Sequence, residues 1–248
     1  MMDRSSQLDH VSHLGDAMTR MASFVGKAEG DEVVPGCPGW TVGDLTIHLG
    51  TIHRWAASIV LSGLRLSEPK VLATEPRNDW YAGTATALLA ALQAVDPTEF
   101  IPNFSLMNET AAFWPRRQLH ETTIHAVDAS QALKLGDEAF VIDGDVADDG
   151  IDEVLSVFFP RMTARGRRPD VSARVRVTAT DTGRSWIIGP SEDPAGTPIL
   201  LHPTLDADAE LSGTASDLYL GLWRRSPHDR LETDGDAANR MLAGPMTP

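Results

Sequence analysis

The stretch from Trp114 to Gly136 reads WPRRQLHETTIHAVDASQALKLG and predicts one amphipathic helix with charged groups on its apolar face. A proline near the first turn and a glycine at the end are common helix boundaries. At about 100° per residue, Glu121, His125 and Asp128 lie at the centre of the face that also carries the apolar side chains. Buried carboxylates and imidazoles are costly unless they are paired or bind a metal. This stretch therefore predicts a polar site inside a helical bundle.

A second apolar stripe is interrupted in the helix predicted from Thr41 to about Leu64. Thr41 and Asp44 have the spacing of a capping box, which predicts where this helix begins. His48 falls in the middle of the core-facing stripe, among residues that are otherwise apolar. The other members of this stripe are Leu45, Ile52, Trp55 and Ile59.

The two stripes together predict a metal centre. Glu121 and His125 are separated by one helical turn and point to one spot, and His48 on a facing helix offers a third ligand. Two histidines and one carboxylate form the facial triad of catalytic Zn²⁺ and Fe²⁺ sites, which keeps positions open. Asp128, one turn beyond His125, is placed to accept a hydrogen bond from that imidazole and orient it.

The pattern alone leaves a simpler alternative open. A histidine on an apolar stripe is more often a core residue whose hydrogen bonds are satisfied, and Glu–His pairs at this spacing also occur on exposed helices. His53 and His120 fall off both buried faces, so we expect them not to bind the metal. Cys37 is expected to be a packed loop cysteine with no base or cation beside it.

The helical and alternating patterns predict an α + (α+β) protein of two domains. Residues 1–138 are expected to form a four-helix bundle, and residues 139–248 a small α+β domain. The helices of the bundle are predicted over Ser5–Lys27, Thr41–Leu64, Asp79–Val95 and Trp114–Gly136. In the second domain we expect a helix over Asp145–Arg165, strands over Val171–Thr178 and Ser185–Ile188, a loop over Pro190–Pro203, a strand near Ala207–Leu211, a helix over Ala215–Arg225, a short strand over Arg230–Thr233 and a helix over Asp236–Ala243.

The composition narrows the class of protein. With 21 Lys and Arg against 35 Asp and Glu, the formal net charge is −14, which disfavours nucleic acid and anionic membranes as partners. A single cysteine excludes an intrachain disulfide. No apolar run approaches the roughly 18 residues of a membrane span, and charges interrupt any N-terminal signal peptide. We therefore expect a cytoplasmic protein, while its oligomeric state is not determined by the sequence.

Several stretches resemble the mycothiol-dependent maleylpyruvate isomerase family. They are CPGWTVGDL at 37–45 with His48-Leu49 after it, WPRR at 114–117, His120-Glu121, and HAVDA at 125–129. The resemblance implies a DinB-like metal-binding four-helix bundle, followed by a domain related to sterol carrier proteins. It implies His48, Glu121 and His125 as zinc ligands, and mycothiol as the thiol co-substrate.

The resemblance also implies a catalytic arginine in the second domain. In the family this arginine lies within a Trp-Gly-Arg stretch, which here reads Trp223-Arg224-Arg225. Arg225 is therefore the expected catalytic residue, and its guanidinium suits a substrate carboxylate. Arg224 stands where the family has a small residue.

The implied chemistry is that of a metal-activated thiol. A thiol bound to zinc becomes a thiolate, a good nucleophile at neutral pH. Addition to a conjugated double bond, rotation and departure give isomerisation, whereas a thiol that stays attached gives S-transfer. We expect a zinc- and mycothiol-dependent S-transferase or isomerase acting on a small electrophile. One alternative is a hydrolase that uses metal-activated water. The other is a non-catalytic regulatory module, in which Asp128 binds the metal as a fourth ligand and closes the site.

Overall fold

The computed structural model of the chain describes residues 8–67, 69, 77–105, 109–136 and 141–248. These residues belong to two compact units, Met1–Val141 and Ile142–Pro248. The first is helical and the second combines helices with one five-stranded sheet, so the predicted fold class is confirmed. Among the described helices, none has the length and apolar character that crossing a membrane requires.

In the described part of the first unit there are four helices: α1 (His10–Lys27), α2 (Val42–Ser62), α3 (Arg77–Gln93) and α4 (Phe113–Ala132). The predicted start of the first helix at Ser5 lies outside the described residues. α2 ends before Leu64 because Gly63 takes a left-handed φ of 65° and caps the helix. α4 ends earlier than the predicted Gly136, and Lys134 beyond it has a φ of 56°.

The start of α2 is held by a capping box and by the turn that precedes it. Thr41 Oγ1 accepts a hydrogen bond from the Asp44 amide at 3.2 Å, and Asp44 Oδ2 accepts one from the Thr41 amide at 2.9 Å. In the turn, the amide of Trp40 donates to the carbonyl of Cys37 at 3.0 Å, and Gly39 adopts a φ of 85°. The first residues of α2 and the turn before it are therefore one locally specified unit.

The bundle core is formed by apolar side chains from all four helices. They include Met21, Phe24, Val25, Leu45, Leu49, Tyr81, Ala126 and Ala129, all buried. Burying these side chains stabilises the bundle through the hydrophobic effect.

The second unit opens with a long helical segment. It consists of α5 (Gly144–Glu153), a π-helical turn (Val154–Phe158) and α6 (Phe159–Ala164). The strands are β1 (Val175–Ala179), β2 (Ser185–Gly189), β3 (Ile199–Leu201), β4 (Ala209–Gly213) and β5 (Glu232–Asp234), with α7 (Ala215–Leu222), a 3₁₀ turn (His228–Arg230) and α8 (Asp236–Ala243). Their order in the sheet is β3-β2-β1-β4-β5, in which only β1 and β4 pair in parallel.

Several predictions in this unit are wrong in detail. The strand predicted from Val171 begins at Val175, and the short strand predicted from Arg230 is Glu232–Asp234. The predicted loop over Pro190–Pro203 contains β3, which pairs with β2 through Ile188 and Leu200. A strand of three residues is too short to show alternation, so tertiary pairing decides it. The predicted helix to Arg225 ends at Leu222, and Arg224 takes a left-handed φ of 58°.

Packing of α2 on α3 yields a prediction from a matched pair of glycines. A β-carbon at Gly50 would overlap the indole ring of Trp80, whereas one at Gly15 on α1 has no contact within 4 Å. We expect Gly50→Ala to lower the free energy of unfolding by roughly 1–3 kcal/mol through overpacking. Gly15→Ala should raise it by up to about 1 kcal/mol because alanine favours the helix. Urea unfolding of both variants measures the difference, and equal effects would contradict this packing.

Candidate metal centre

Three side chains from two helices meet at one point of the bundle. His48 projects from α2, and Glu121 and His125 project from successive turns of α4. Glu121 Oε1 lies 3.2 Å from His48 Nε2 and 3.4 Å from His125 Nε2. One donor atom of each residue lies within 4.8 Å of the others. The structure thus brings together the three polar residues that the two apolar stripes predicted as metal ligands.

The site is more open than the stripes predicted. The side chains of His48 and Glu121 are 21% and 19% exposed, and that of His125 is 11% exposed. Helical spacing gives the direction of a side chain but not what covers its end. The three side chains are therefore partly exposed and not sealed in the core.

Glu121 is held by a buried cation. Arg117, one turn earlier on α4, is 3% exposed and places Nη2 2.5 Å from Glu121 Oε2. Burial alone would raise the pKa of Glu121, but Arg117 and the hydrogen bonds from His125 and His48 outweigh it and hold that pKa well below the usual value. Oε2 is thus engaged by Arg117, and Oε1 faces the two imidazoles.

His125 is held on its other side by Asp128. Asp128 is fully buried, and its Oδ2 lies 3.0 Å from Nδ1 of His125. Burial alone would lower the pKa of His125, but hydrogen bonds to Asp128, Cys37 and Glu121 hold it well above the usual value. Because Nδ1 is committed to Asp128, Nε2 is the nitrogen that faces Glu121 and His48.

Trp40 packs against both histidines. Its ring centroid lies 4.9 Å from that of His48 and 6.5 Å from that of His125, nearly parallel to the latter. The two imidazole rings themselves meet edge to face at 5.2 Å. Trp40 directly precedes the capping residue of α2, so the turn before this helix also forms a wall of the site.

Cys37 is a residue that the sequence reasoning missed. We expected no base beside it, but its Sγ lies 3.5 Å from Asp128 Oδ2 and it also hydrogen-bonds to His125. Asp128 and His125 are 91 and 88 residues away in sequence, and only the tertiary fold brings them to the turn. A loop cysteine gives no periodic signal, so helical spacing could not reveal this contact.

His53 and His120 are both fully buried, although they lie off the metal-facing side. His53 Nε2 lies 3.0 Å from Thr122 Oγ1. Burial is the main cause that lowers the pKa of His53 to about 3, helped by His125 and His48 and opposed by Glu121. His53 is therefore a neutral core residue.

A zinc ion fits the donor set of His48, Glu121 and His125. In a tetrahedral site with ligands about 2.0–2.1 Å from zinc, neighbouring ligand atoms are about 3.3 Å apart, close to the 3.2 and 3.4 Å found here. Two imidazoles and a carboxylate are also a common ligand set for catalytic zinc. The residues present therefore suit the metal that the resemblance implies.

Comparison with known families assigns the chain to a class. Residues 11–130 match the family model of the mycothiol maleylpyruvate isomerase (MDMPI) N-terminal domain. Residues 145–240 match the family model of the MDMPI C-terminal domain. The chain therefore belongs to the mycothiol-dependent maleylpyruvate isomerase family, whose members are enzymes. Comparison with curated proteins gives no match.

Two solved structures share the fold over nearly the whole chain. The crystal structure of the mycothiol-dependent maleylpyruvate isomerase is 13% identical, with a TM-score of 0.57 over 97% of this chain and 95% of that one. The crystal structure of a variant of that enzyme with one histidine replaced by alanine is 12% identical, with a TM-score of 0.58 over the same shares. At this identity the likeness concerns the fold.

Arg225 and Arg224 lie just beyond α7 in the second unit. Arg225 Nη1 donates to the carbonyl of Trp223 at 2.8 Å. Arg224 Nη2 donates to the carbonyls of Ala243 and Gly244, at 3.2 and 2.6 Å. Arg224 thus keeps a left-handed backbone where the family has a small residue, and its side chain binds the end of α8.

The buried neutral His53 predicts a pH dependence of stability. Its pKa is about 3 in the folded chain and about 6.5 when unfolded, so its contribution to stability is present above pH 6.5 and is lost as the pH falls towards 3. The loss has a maximum slope of about 1.4 kcal/mol per pH unit. In His53→Gln, the free energy of unfolding should fall less between pH 7 and pH 5.

Urea unfolding at the two pH values measures this difference. Gly15→Ala, which removes no titratable group and meets no atom within 4 Å, provides the control and should keep the pH dependence of the unsubstituted chain. Parallel pH profiles for His53→Gln and the unsubstituted chain would contradict a neutral buried His53.

Proposed function

We propose that this protein is a zinc- and mycothiol-dependent isomerase of a small unsaturated electrophile. The observation that carries the proposal is the convergence of His48, Glu121 and His125, with donor atoms within 4.8 Å, in a chain of this enzyme family. The three residues come from two different helices, whereas polar residues on a solvated helix face need not meet partners from another helix. The observed spacing suits zinc, and partial exposure suits a co-substrate that must enter and leave.

The residues of the bundle have distinct parts in this proposal. His48, Glu121 and His125 hold the metal, which when bound would act as a Lewis acid that favours the thiolate form of a coordinated thiol. Arg117 neutralises and orients Glu121, so this buried arginine is already engaged and does not serve the substrate. Asp128 fixes the ring of His125 so that Nε2 faces the site.

The position of Asp128 favours a catalytic over a structural metal. A structural zinc is closed by four protein ligands, whereas a catalytic zinc keeps a position open. Asp128 contacts Nδ1 of His125, on the side of the ring opposite to the nitrogen that faces Glu121. Asp128 is therefore no fourth member of the set formed by His48, Glu121 and His125, and within the described part of the chain this donor set holds three side chains, which supports an open position for the thiol.

The amount of thiol consumed distinguishes isomerisation from S-transfer and from hydrolysis. An isomerase needs the thiol but regenerates it, an S-transferase consumes one thiol for each product, and a hydrolase needs no thiol. We expect turnover of a cis-configured, conjugated keto acid to depend on mycothiol and to leave its free-thiol concentration unchanged. Loss of thiol equal to product would support S-transfer instead, and turnover in thiol-free buffer would support hydrolysis.

The proposed ligands predict a metal content that variants change selectively. The unsubstituted chain should bind one zinc, and alanine at His48, Glu121 or His125 should lower zinc affinity by at least tenfold because each removes a direct ligand. His202→Ala, an exposed histidine in the second unit, is the matched control and should keep full zinc content. Elemental analysis after dialysis measures the stoichiometry. A chain without stoichiometric zinc after growth in zinc-rich medium would refute the proposal.

We also propose Arg225 as the cation that binds the substrate carboxylate. Losing one charge-assisted hydrogen bond costs roughly 1.5–3 kcal/mol, or about a 10- to 100-fold loss of kcat/KM. Arg225→Ala should show this loss with a carboxylated substrate, a much smaller loss with its uncharged ester, and unchanged zinc content. Arg240→Ala, a half-exposed arginine of α8, is the control. Equal losses with acid and ester would exclude this role for Arg225.

A further inference from the structure

A second group of metal-ligating side chains shares His125 with the first. It consists of Cys37, Asp128 and His125, whose donor atoms lie within 4.8 Å of one another. Cys37 Sγ lies 3.5 Å from Asp128 Oδ2, which lies 3.0 Å from His125 Nδ1. The nitrogen used here is the one on the far side of the ring from Glu121. This group is therefore a separate donor set and does not extend the first.

We propose that Cys37, Asp128 and Nδ1 of His125 form a second metal site, suited to a thiophilic divalent cation such as Cd²⁺ or excess Zn²⁺. With zinc–sulfur and zinc–oxygen distances of about 2.3 and 2.0 Å, a tetrahedral site separates the two ligand atoms by about 3.5 Å. That value matches the separation of Cys37 Sγ and Asp128 Oδ2. A thiolate, an imidazole and a carboxylate are a donor set that favours thiophilic metals.

The site is prepared by the fold before any metal binds. Asp128 is fully buried on α4 and cannot withdraw to solvent. Cys37 lies in the turn before α2, where its amide donates to the carbonyl of Val34 at 3.2 Å and its carbonyl accepts from the amide of Trp40 at 3.0 Å. Cys37 itself is only partly buried.

The two sites exclude each other because they use opposite nitrogens of one ring. A neutral imidazole has one lone pair for a metal and one N–H. A metal on Nε2 leaves the proton on Nδ1, and this N–H donates a hydrogen bond to Asp128. A metal on Nδ1 leaves the proton on Nε2 instead. A thiophilic cation in the second site would therefore weaken metal binding in the first. The inference does not require zinc in the first site, and it goes beyond the proposed function.

The test removes the first site and titrates the second with cadmium. In His48→Ala/Glu121→Gln, with folding checked by circular dichroism, we expect one Cd²⁺ per chain and the ultraviolet absorption of a thiolate–cadmium bond. Adding Cys37→Ser should abolish that absorption and lower cadmium affinity by at least tenfold. If the double variant does not fold, His48→Ala alone, whose replaced side chain is one-fifth exposed, takes its place.

Two results would overturn the second site. One is the absence of thiolate–cadmium absorption at saturating Cd²⁺ in the folded variant. The other is the simultaneous binding of two cadmium ions by the unsubstituted chain, which mutual exclusion forbids. Failure of the proposed function would be seen separately, as missing zinc in the unsubstituted chain.

Discussion

The whole site depends on the division of one imidazole between two carboxylates. His125 contacts Asp128 through Nδ1 and Glu121 through Nε2, so its ring cannot rotate without losing a hydrogen bond on each side. Both carboxylates lie on the same helix as His125, one turn before it and one turn after it. The relative positions of Glu121, His125 and Asp128 are thus set by α4 alone, and α2 needs only to place His48 opposite Glu121. A rigid ring is what a metal centre requires, because a misplaced ligand loses affinity.

Charge is balanced within the bundle. Glu121 carries a negative charge near the core, where an unpaired carboxylate would be costly. Arg117 compensates it from one turn away and is itself buried. Forming this ion pair costs little conformational entropy beyond that of forming α4, because both side chains project from the same face of the helix. This arginine of the bundle is therefore engaged with Glu121.

The turn before α2 links the site to the start of a helix. The capping box at Thr41 and Asp44 sets the first turn of α2, and the residues just before it place Trp40 against both histidine rings. The same turn places Cys37 beside Asp128. A short local structure therefore contributes the wall of the first donor set and a ligand of the second. The family resemblance rests partly on this stretch.

Helical spacing in the sequence determined which faces of α2 and α4 carry the polar groups, because side-chain direction in a helix follows from residue number. The capping residues likewise predicted where α2 begins, period-two alternation predicted β1, and the hairpin turn after β1 predicted β2. Tertiary structure alone decided that Cys37 meets Asp128, that His53 is a neutral core residue, and that β3 is a strand. Each of these depends on contacts between residues distant in sequence. How far the ends of His48 and Glu121 are covered was also decided by packing, because a repeat along one helix contains no information about its neighbours.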